Sequence, residues 1–221
     1  MLAEQLISQA LPVLQPADTG QQALNFMDDY RISHLPVIKE KEYLGLITDK
    51  MVYDLNLAEE RIESHIMHLH TPHVHAKQHL YEVASMMYKL NLTLIPVVDE
   101  EHNYLGSITL SNVSAIFAQM MSLLEPGGII ILETTWNNYS ASQISQIVEG
   151  NDARILSLFV TRISQTDNIE VMLKLDKVDL SSVIQTFTRY DYQIAAVYMD
   201  DSALNDMYED RLGQFLRYLN I

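Results

Sequence analysis

The chain of 221 residues repeats itself once, with a period of about sixty residues. The pairs aligned at an offset of 60 are Pro12 and Pro72, Met27 and Met87, Pro36 and Pro96, and Val37 and Val97. One extra residue in the following turn moves the offset to 61, so that Tyr43–Thr48 matches Tyr104–Thr109. Self-similarity at a fixed period indicates one supersecondary unit used twice. Each unit is too small to bury a core alone, so we expect the two to pack against each other.

Each unit is predicted to contain a short strand, a helix, two strands and a second helix. In the first unit, apolar residues from Ala23 to Tyr30 recur at helical spacing, and the apolar runs Leu35–Ile38 and Tyr43–Thr48 predict two strands. The charged residues 39–42 between these runs predict a turn. The second unit repeats the plan, with strands predicted at 94–98 and 104–109.

This repeated pattern resembles a tandem pair of CBS domains. The resemblance rests on an apolar-Pro-Val strand, an acidic turn and a Leu-Gly-x-Ile-Thr strand, which occur twice in register within residues 1–122. It implies a pseudo-two-fold module with units at 1–62 and 63–124. It also implies two clefts between the units, which in this family often hold adenosine compounds such as AMP, ADP, ATP or S-adenosylmethionine.

Several residues of the repeat suit a nucleoside. A glycine lets a backbone approach a ligand closely, a hydroxyl at a strand end can bind a ribose or phosphate, and an apolar residue before each proline can form a wall for a base. The nucleotide-binding candidates are Leu35, Pro36, Gly45 and Thr48 in the first unit and Ile95, Pro96, Gly106, Thr109 and Asn112 in the second. In the alternative interpretation, the glycines serve turns and the threonines cap helices.

The two clefts differ at one position. The resemblance implies an aspartate three residues after each threonine, where its carboxylate accepts both ribose hydroxyls. Met51 stands there in the first unit and Asn112 in the second. Because only Asn112 keeps an acceptor oxygen, the sequence favours the second cleft as the binding site.

Six of the eight histidines lie between positions 65 and 79: His65, His68, His70, His73, His75 and His79. Imidazole is a common ligand of zinc, nickel and copper, and His73 and His75 are spaced to share one face of a strand. A metal site and a surface enrichment by chance are both open. In a third alternative, His75, Lys77 or His79 faces the phosphate of a ligand in the second cleft.

Residues 127–200 change character after Pro126-Gly127-Gly128. Their apolar patterns predict the order strand, helix, strand, strand, helix, strand of a ferredoxin-like α+β unit. This order, placed after a CBS pair, resembles an ACT domain, another small-molecule-sensing module. The loop 135–140 lacks the glycine of amino-acid-binding ACT domains, although Asn137 and Asn138 can bind something polar, and Trp136 serves packing or recognition.

The last segment, 201–221, is predicted to form an amphipathic helix. Its apolar stripe is Leu212, Phe215, Leu216 and Leu219, at i, i+3, i+4 and i+7. Such a stripe covers either the sheet of its own domain or another subunit.

Composition narrows the classes of function. The net charge of −15 and the pI near 4.7 argue against binding nucleic acid or an anionic membrane. The chain has no cysteine, no signal-peptide pattern at its start, no long apolar run and no catalytic motif. The sequence therefore predicts a cytoplasmic regulatory protein that is not an enzyme. It is expected to bind a small molecule, to form a homodimer and to act on an unidentified partner protein. The alternatives are a ligand-free interaction protein and a metal-binding protein that uses the histidines from His65 to His79.

Overall fold

The computed structural model describes residues 1–8, 11–164 and 166–199. The chain divides into two compact units, Met1–Ile116 and Phe117–Ile221. This division lies ahead of the predicted junction at Pro126-Gly127-Gly128. None of the helices in the described ranges is long and apolar enough to cross a membrane.

The first repeat begins with a 3-10 helix, and local capping fixes its first α-helix. The Thr19 hydroxyl accepts the backbone N–H of Gln22, and the Gln22 Oε1 in turn accepts the backbone N–H of Thr19. The helix ends at Arg31 in the left-handed region. The elements are a 3-10 helix (Ala3–Leu6), α1 (Gly20–Tyr30), β1 (His34–Lys39), β2 (Glu42–Thr48) and α2 (Asp49–Asp54).

The second repeat has the same plan, as predicted. His79 and Glu82 form the capping box of its first α-helix, and Asn91 ends that helix in the left-handed region. The elements are a 3-10 helix (Ile62–His68), β3 (Val74–His75), α3 (Leu80–Leu90), β4 (Leu94–Val98), β5 (Tyr104–Thr109) and α4 (Leu110–Met120).

Matching strand pairs form the centre of the two repeats. β1 pairs antiparallel with β2, and β4 pairs antiparallel with β5, with Leu35 opposite Ile47 and Ile95 opposite Ile108. A short strand was predicted at the start of each repeat. It is confirmed in the second repeat, where β3 runs parallel to β4. In the first repeat it shrinks to a single parallel bridge between Leu14 and Val37.

The second compact unit begins at Phe117 and is called the second unit from here on. Its elements are β6 (Ile129–Thr135), α5 (Ala141–Glu149), β7 (Ile155–Arg162), β8 (Asn168–Leu175), α6 (Ser181–Arg189) and β9 (Gln193–Tyr198). The four strands form an antiparallel sheet with order β7-β8-β6-β9. The predicted ferredoxin-like order of elements is confirmed. One face of the sheet packs on both helices around the fully buried Phe187. The helix predicted at 201–221 lies outside the described residues.

Candidate functional site

A segment of the second repeat lies directly over β2 of the first. Gly45 has a φ of +149°, and a Cβ added to it would lie 2.6 Å from the Cβ of Leu69 and 2.9 Å from the carbonyl oxygen of His70. The backbone N–H of Leu46 donates to that same His70 carbonyl over 2.7 Å. The close backbone approach that the glycine permits is thus made by the chain itself.

A related contact joins the repeats in the other direction, with a side chain over the glycine and the hydrogen bond reversed. Gly106, with a φ of +153°, faces Ile7, whose Cγ2 would overlap an added Cβ. The backbone N–H of Ser8 donates to the carbonyl of Ser107 over 2.9 Å. Each repeat therefore contributes a short segment that covers a strand of the other repeat. Neither glycine leaves its backbone open to a ligand.

Both candidate threonines act as helix caps. The Thr48 Oγ1 accepts the backbone N–H of Met51 over 3.0 Å, and the Thr109 Oγ1 accepts that of Asn112 over 3.2 Å. The alternative interpretation of these residues as caps is thereby confirmed. A hydroxyl that accepts at a cap still has a proton to donate, so capping leaves ligand contact open.

Residues 69–72 of the second repeat, which we call the crossing segment, lie over β2. Together with the end of β2 they line a cavity of about 570 Å³. Its size is within the range of about 300–1,000 Å³ that small-molecule sites occupy. The described residues that line it are His34, Leu46, Thr48, His70, Thr71, Pro72, Leu90 and Leu92. Of these, only Thr48 was a nucleotide-binding candidate from the sequence, and His70 belonged to the histidine cluster considered for a metal site. The others were missed because they come from distant segments of the chain, at positions 34, 46, 71–72 and 90–92.

His34 is the cavity residue with the most defined hydrogen bonding. The backbone N–H of Thr93 donates to its Nδ1 over 3.3 Å, and the Thr93 hydroxyl is 2.9 Å from the same atom. Because an N–H can only donate, Nδ1 is unprotonated, and a neutral ring then carries its proton on Nε2. Burial lowers the pKa of His34 from its ordinary value, and this effect is larger than the opposite effect of Asp49.

The structure places several nucleotide-binding candidates of both repeats in the core. Leu35 and Ile95 are each 0% exposed, so their side chains offer no free surface as a wall for a base. Pro36 and Pro96 are also buried. The Asn112 Nδ2 donates to the carbonyl oxygen of Leu6 over 2.7 Å. This bond holds the Asn112 side chain against residues 6–8, which contact β5. Residues 9 and 10, which follow that segment, lie outside the described residues.

The histidines separate into several small groups. The ring of His73 lies with its centroid 5.3 Å from that of His75 and 4.7 Å from that of His102. His65 pairs with Glu60, and the Nδ1 of His79 accepts a backbone N–H in its cap. Within residues 1–8, 11–164 and 166–199, no three His, Asp or Glu side chains are arranged to hold a metal ion. His75, Lys77 and His79 are exposed.

The second unit contains its own polar cavity of about 510 Å³. At one wall the carboxylate of Glu133 accepts from Asn168 Nδ2 over 2.7 Å and from Gln193 Nε2 over 3.2 Å. Asn138, from the loop that the sequence singled out, also lines it. Trp136 is 54% exposed, stacks on Tyr139 and lies 5.5 Å from the guanidinium of Arg162.

Comparison with known proteins identifies the repeats. Residues 3–55 and 62–118 each match the CBS domain. Inosine-5'-monophosphate dehydrogenase of Methanocaldococcus jannaschii is 29% identical over 114 residues, which are 50% of this chain and 22% of that enzyme. Homoserine O-acetyltransferase of Methanosarcina acetivorans is 26% identical over 103 residues, which are 46% of this chain and 19% of that enzyme. The chain thus spans about a fifth of the length of these curated relatives.

The chain is also similar in part to solved structures. A CBS domain pair/ACT domain protein from Thermotoga maritima aligns with a TM-score of 0.47 and 20% identity, over 54% of this chain and 98% of that one. The resemblance stated from the repeated motif is confirmed by the two matched segments. The chain is therefore a member of the CBS domain family, with its two CBS domains arranged in tandem at residues 3–55 and 62–118.

Proposed function

We propose that this protein is a regulatory sensor that binds an adenosine compound in the cleft at Thr48, between its two CBS domains. The observation that carries the proposal is the cavity of about 570 Å³ there. The lining combines apolar residues with the polar side chains of His34, Thr48 and Thr71. Small-molecule sites typically combine apolar lining with a few polar groups that orient the ligand. Adenosine compounds are the ligands that the family resemblance implied.

The lining supplies the contacts that a nucleoside needs. The apolar lining consists of Leu46, Leu90 and Leu92. Most of its accessible surface comes from Leu90, which is 52% exposed, since Leu46 and Leu92 are 2% and 6% exposed. The Nε2–H of His34 is a donor for a ring nitrogen, and the Thr48 hydroxyl is a donor for a ribose oxygen. The sequence favoured the second cleft, around Thr109 and Asn112, and that site remains a prediction beside this one.

The curated relatives support a regulatory role. The two enzymes catalyse unrelated reactions, a dehydrogenation and an acetyl transfer, yet each resembles this chain over about a fifth of its length. A segment shared by unrelated enzymes is better suited to regulation than to either reaction. We therefore propose that the chain is itself not an enzyme, and that it acts on a partner protein.

A link between the CBS domains offers a way for the ligand to act. Thr93, from the second domain, bonds both His34 and the backbone N–H of Ser33 in the first. A ligand that contacts His34 can therefore change how the two domains pack. It favours one packing arrangement over another only to the extent that it binds the two arrangements with different affinity.

We further propose that the second unit is an ACT-like domain that receives this change, and that the protein works as a homodimer. Size-exclusion chromatography with light scattering tests the homodimer, which a monomeric mass would exclude.

Thermal denaturation with adenosine compounds tests the binding site. A ligand that binds only the folded protein raises the melting temperature. Thr71 is exposed and lines the cavity, so Thr71→Trp should fill the cleft and abolish the shift without disturbing the core. Thr188→Trp, at an exposed site on α6 of the other unit, is the matched control and should keep the shift.

Two other results would redirect the proposal. A shift that survives Thr71→Trp and disappears with Thr109→Val and Asn112→Ala together would place the ligand in the second cleft. No shift with any adenosine compound would favour the ligand-free interaction protein.

A further inference from the structure

The cleft at Thr48 differs from a typical nucleotide site in the charge of its lining. Among the described residues that enclose it, none is Lys or Arg. Phosphate is normally held by charge-assisted hydrogen bonds from such side chains, and burying it without them is costly. The chain as a whole carries a net charge of −15, which adds to the repulsion of an anion.

The start of α2 does not compensate for this lack. A helix begins here beside the cavity, but its first residue is Asp49, whose carboxylate accepts the backbone N–H of Lys50 over 2.6 Å. Asp49 lies close enough to His34 to act on its titration. A negative side chain therefore stands where the partial positive charge of a helix start would otherwise favour an anion.

The two imidazoles of the lining are the remaining groups that can become positive. Burial lowers the pKa of His34, which favours its neutral form, and its Nδ1 is already engaged by Thr93. His70 is exposed at the rim and contributes its backbone carbonyl to the pairing with Leu46. The described lining therefore has no Lys or Arg, and burial disfavours the charged form of His34.

We infer that this cleft selects an uncharged purine nucleoside over the same nucleoside carrying a 5'-phosphate. The inference rests on the proposed function, since it names the class of ligand for the same site. The apolar surface and the neutral donors of His34 and Thr48 serve a base and a ribose equally well in both compounds. Only the phosphate lacks a partner, so it sets the preference.

Isothermal titration of the full chain at pH 8 with adenosine and with AMP tests the inference. We expect adenosine to bind at least ten times more tightly than AMP. Thr71→Arg introduces a cation at the exposed rim and should reverse the preference toward AMP. The same change away from the cleft, Thr188→Arg on α6, should leave the preference unchanged. Asp49→Asn should narrow the difference between the two ligands.

The outcomes separate this inference from the proposal beneath it. If AMP binds as tightly as adenosine, and Thr71→Trp abolishes both, the cleft is a nucleotide site and the inference is wrong while the proposed function stands. If neither compound binds at millimolar concentration, the inference is wrong, and the thermal shifts with ADP, ATP and S-adenosylmethionine decide whether the proposed function stands. Any AMP binding that survives Thr71→Trp belongs to another site. The preference of the cleft is then calculated from the part of adenosine binding and of AMP binding that is lost in Thr71→Trp.

Discussion

Gly45→Ala is expected to destabilise the CBS pair strongly, because the new methyl group meets the crossing segment. Its Cβ would lie 2.6 Å from the Cβ of Leu69 and 2.9 Å from the carbonyl oxygen of His70, and the φ of +149° is unfavourable for any side chain. The backbone strain costs about 1–3 kcal/mol, and the overlap costs a further ~1–3 kcal/mol. We therefore expect the free energy of unfolding to fall by roughly 2–6 kcal/mol.

Urea unfolding followed by circular dichroism measures this loss. Glu42→Ala, at an exposed position of the same strand, is the control and should change the free energy by no more than about 0.5 kcal/mol. Gly45→Ala should also weaken ligand binding, because the displaced residues His70 and Thr71 line the cavity. A loss of stability below about 1 kcal/mol would refute the reasoning, since it would mean that the crossing segment does not lie against Gly45.

Three further predictions concern other contacts. Because burial lowers the pKa of His34 from 6.5, the unfolded chain takes up this proton first as the pH falls, so the contribution of His34 to stability is complete above 6.5 and decreases below it. His34→Gln should flatten this part of the pH dependence in urea unfolding at pH 5.5 and 7.5, and an unchanged slope would contradict the assignment. Phe187→Ala should cost the second unit about 3–5 kcal/mol, seen as a lower urea midpoint in the fluorescence of Trp136, and an unmoved midpoint would count against its place in the core. Asn112→Ala removes the bond to the Leu6 carbonyl and should cost about 1–3 kcal/mol in thermal or urea denaturation; no loss would mean that water replaces the amide.

Much of the fold followed from local signals in the sequence. The repeat gave two copies of one unit because matched prolines, glycines and apolar runs specify the same strands and turns twice. The alternation of Ile169, Val171, Leu173 and Leu175 predicted β8, and all four side chains are buried on the helix-facing side of the sheet. The first strand of the first repeat was overestimated, since its pairing is reduced to the bridge of Leu14 with Val37.

The site was harder to predict because its residues are distant in the sequence. The motif located Thr48 at the cavity, but it gave no sign that His34, Thr71 and Leu92 would join it. Leu35 was expected to form a wall for a base, yet it is fully buried, because the residue before the proline lies on the core side of β1. The glycines were expected to admit a ligand, and instead Gly45 faces Leu69 and the His70 carbonyl while Gly106 faces the side chain of Ile7.

The sequence by itself determined the repeated unit, the order of elements in both units and the lack of cysteine chemistry, because periodicity and composition act over short stretches of chain. Only the tertiary structure decided which repeat supplies the residues over each glycine, and hence where a cavity remains. The physical reason is that the exchange of segments depends on packing between residues far apart in the chain: Leu69 lies over Gly45, 24 positions away, and Ile7 lies over Gly106, 99 positions away. In that packing His70 and Thr71, rather than residues of the first repeat, complete the cleft at Thr48.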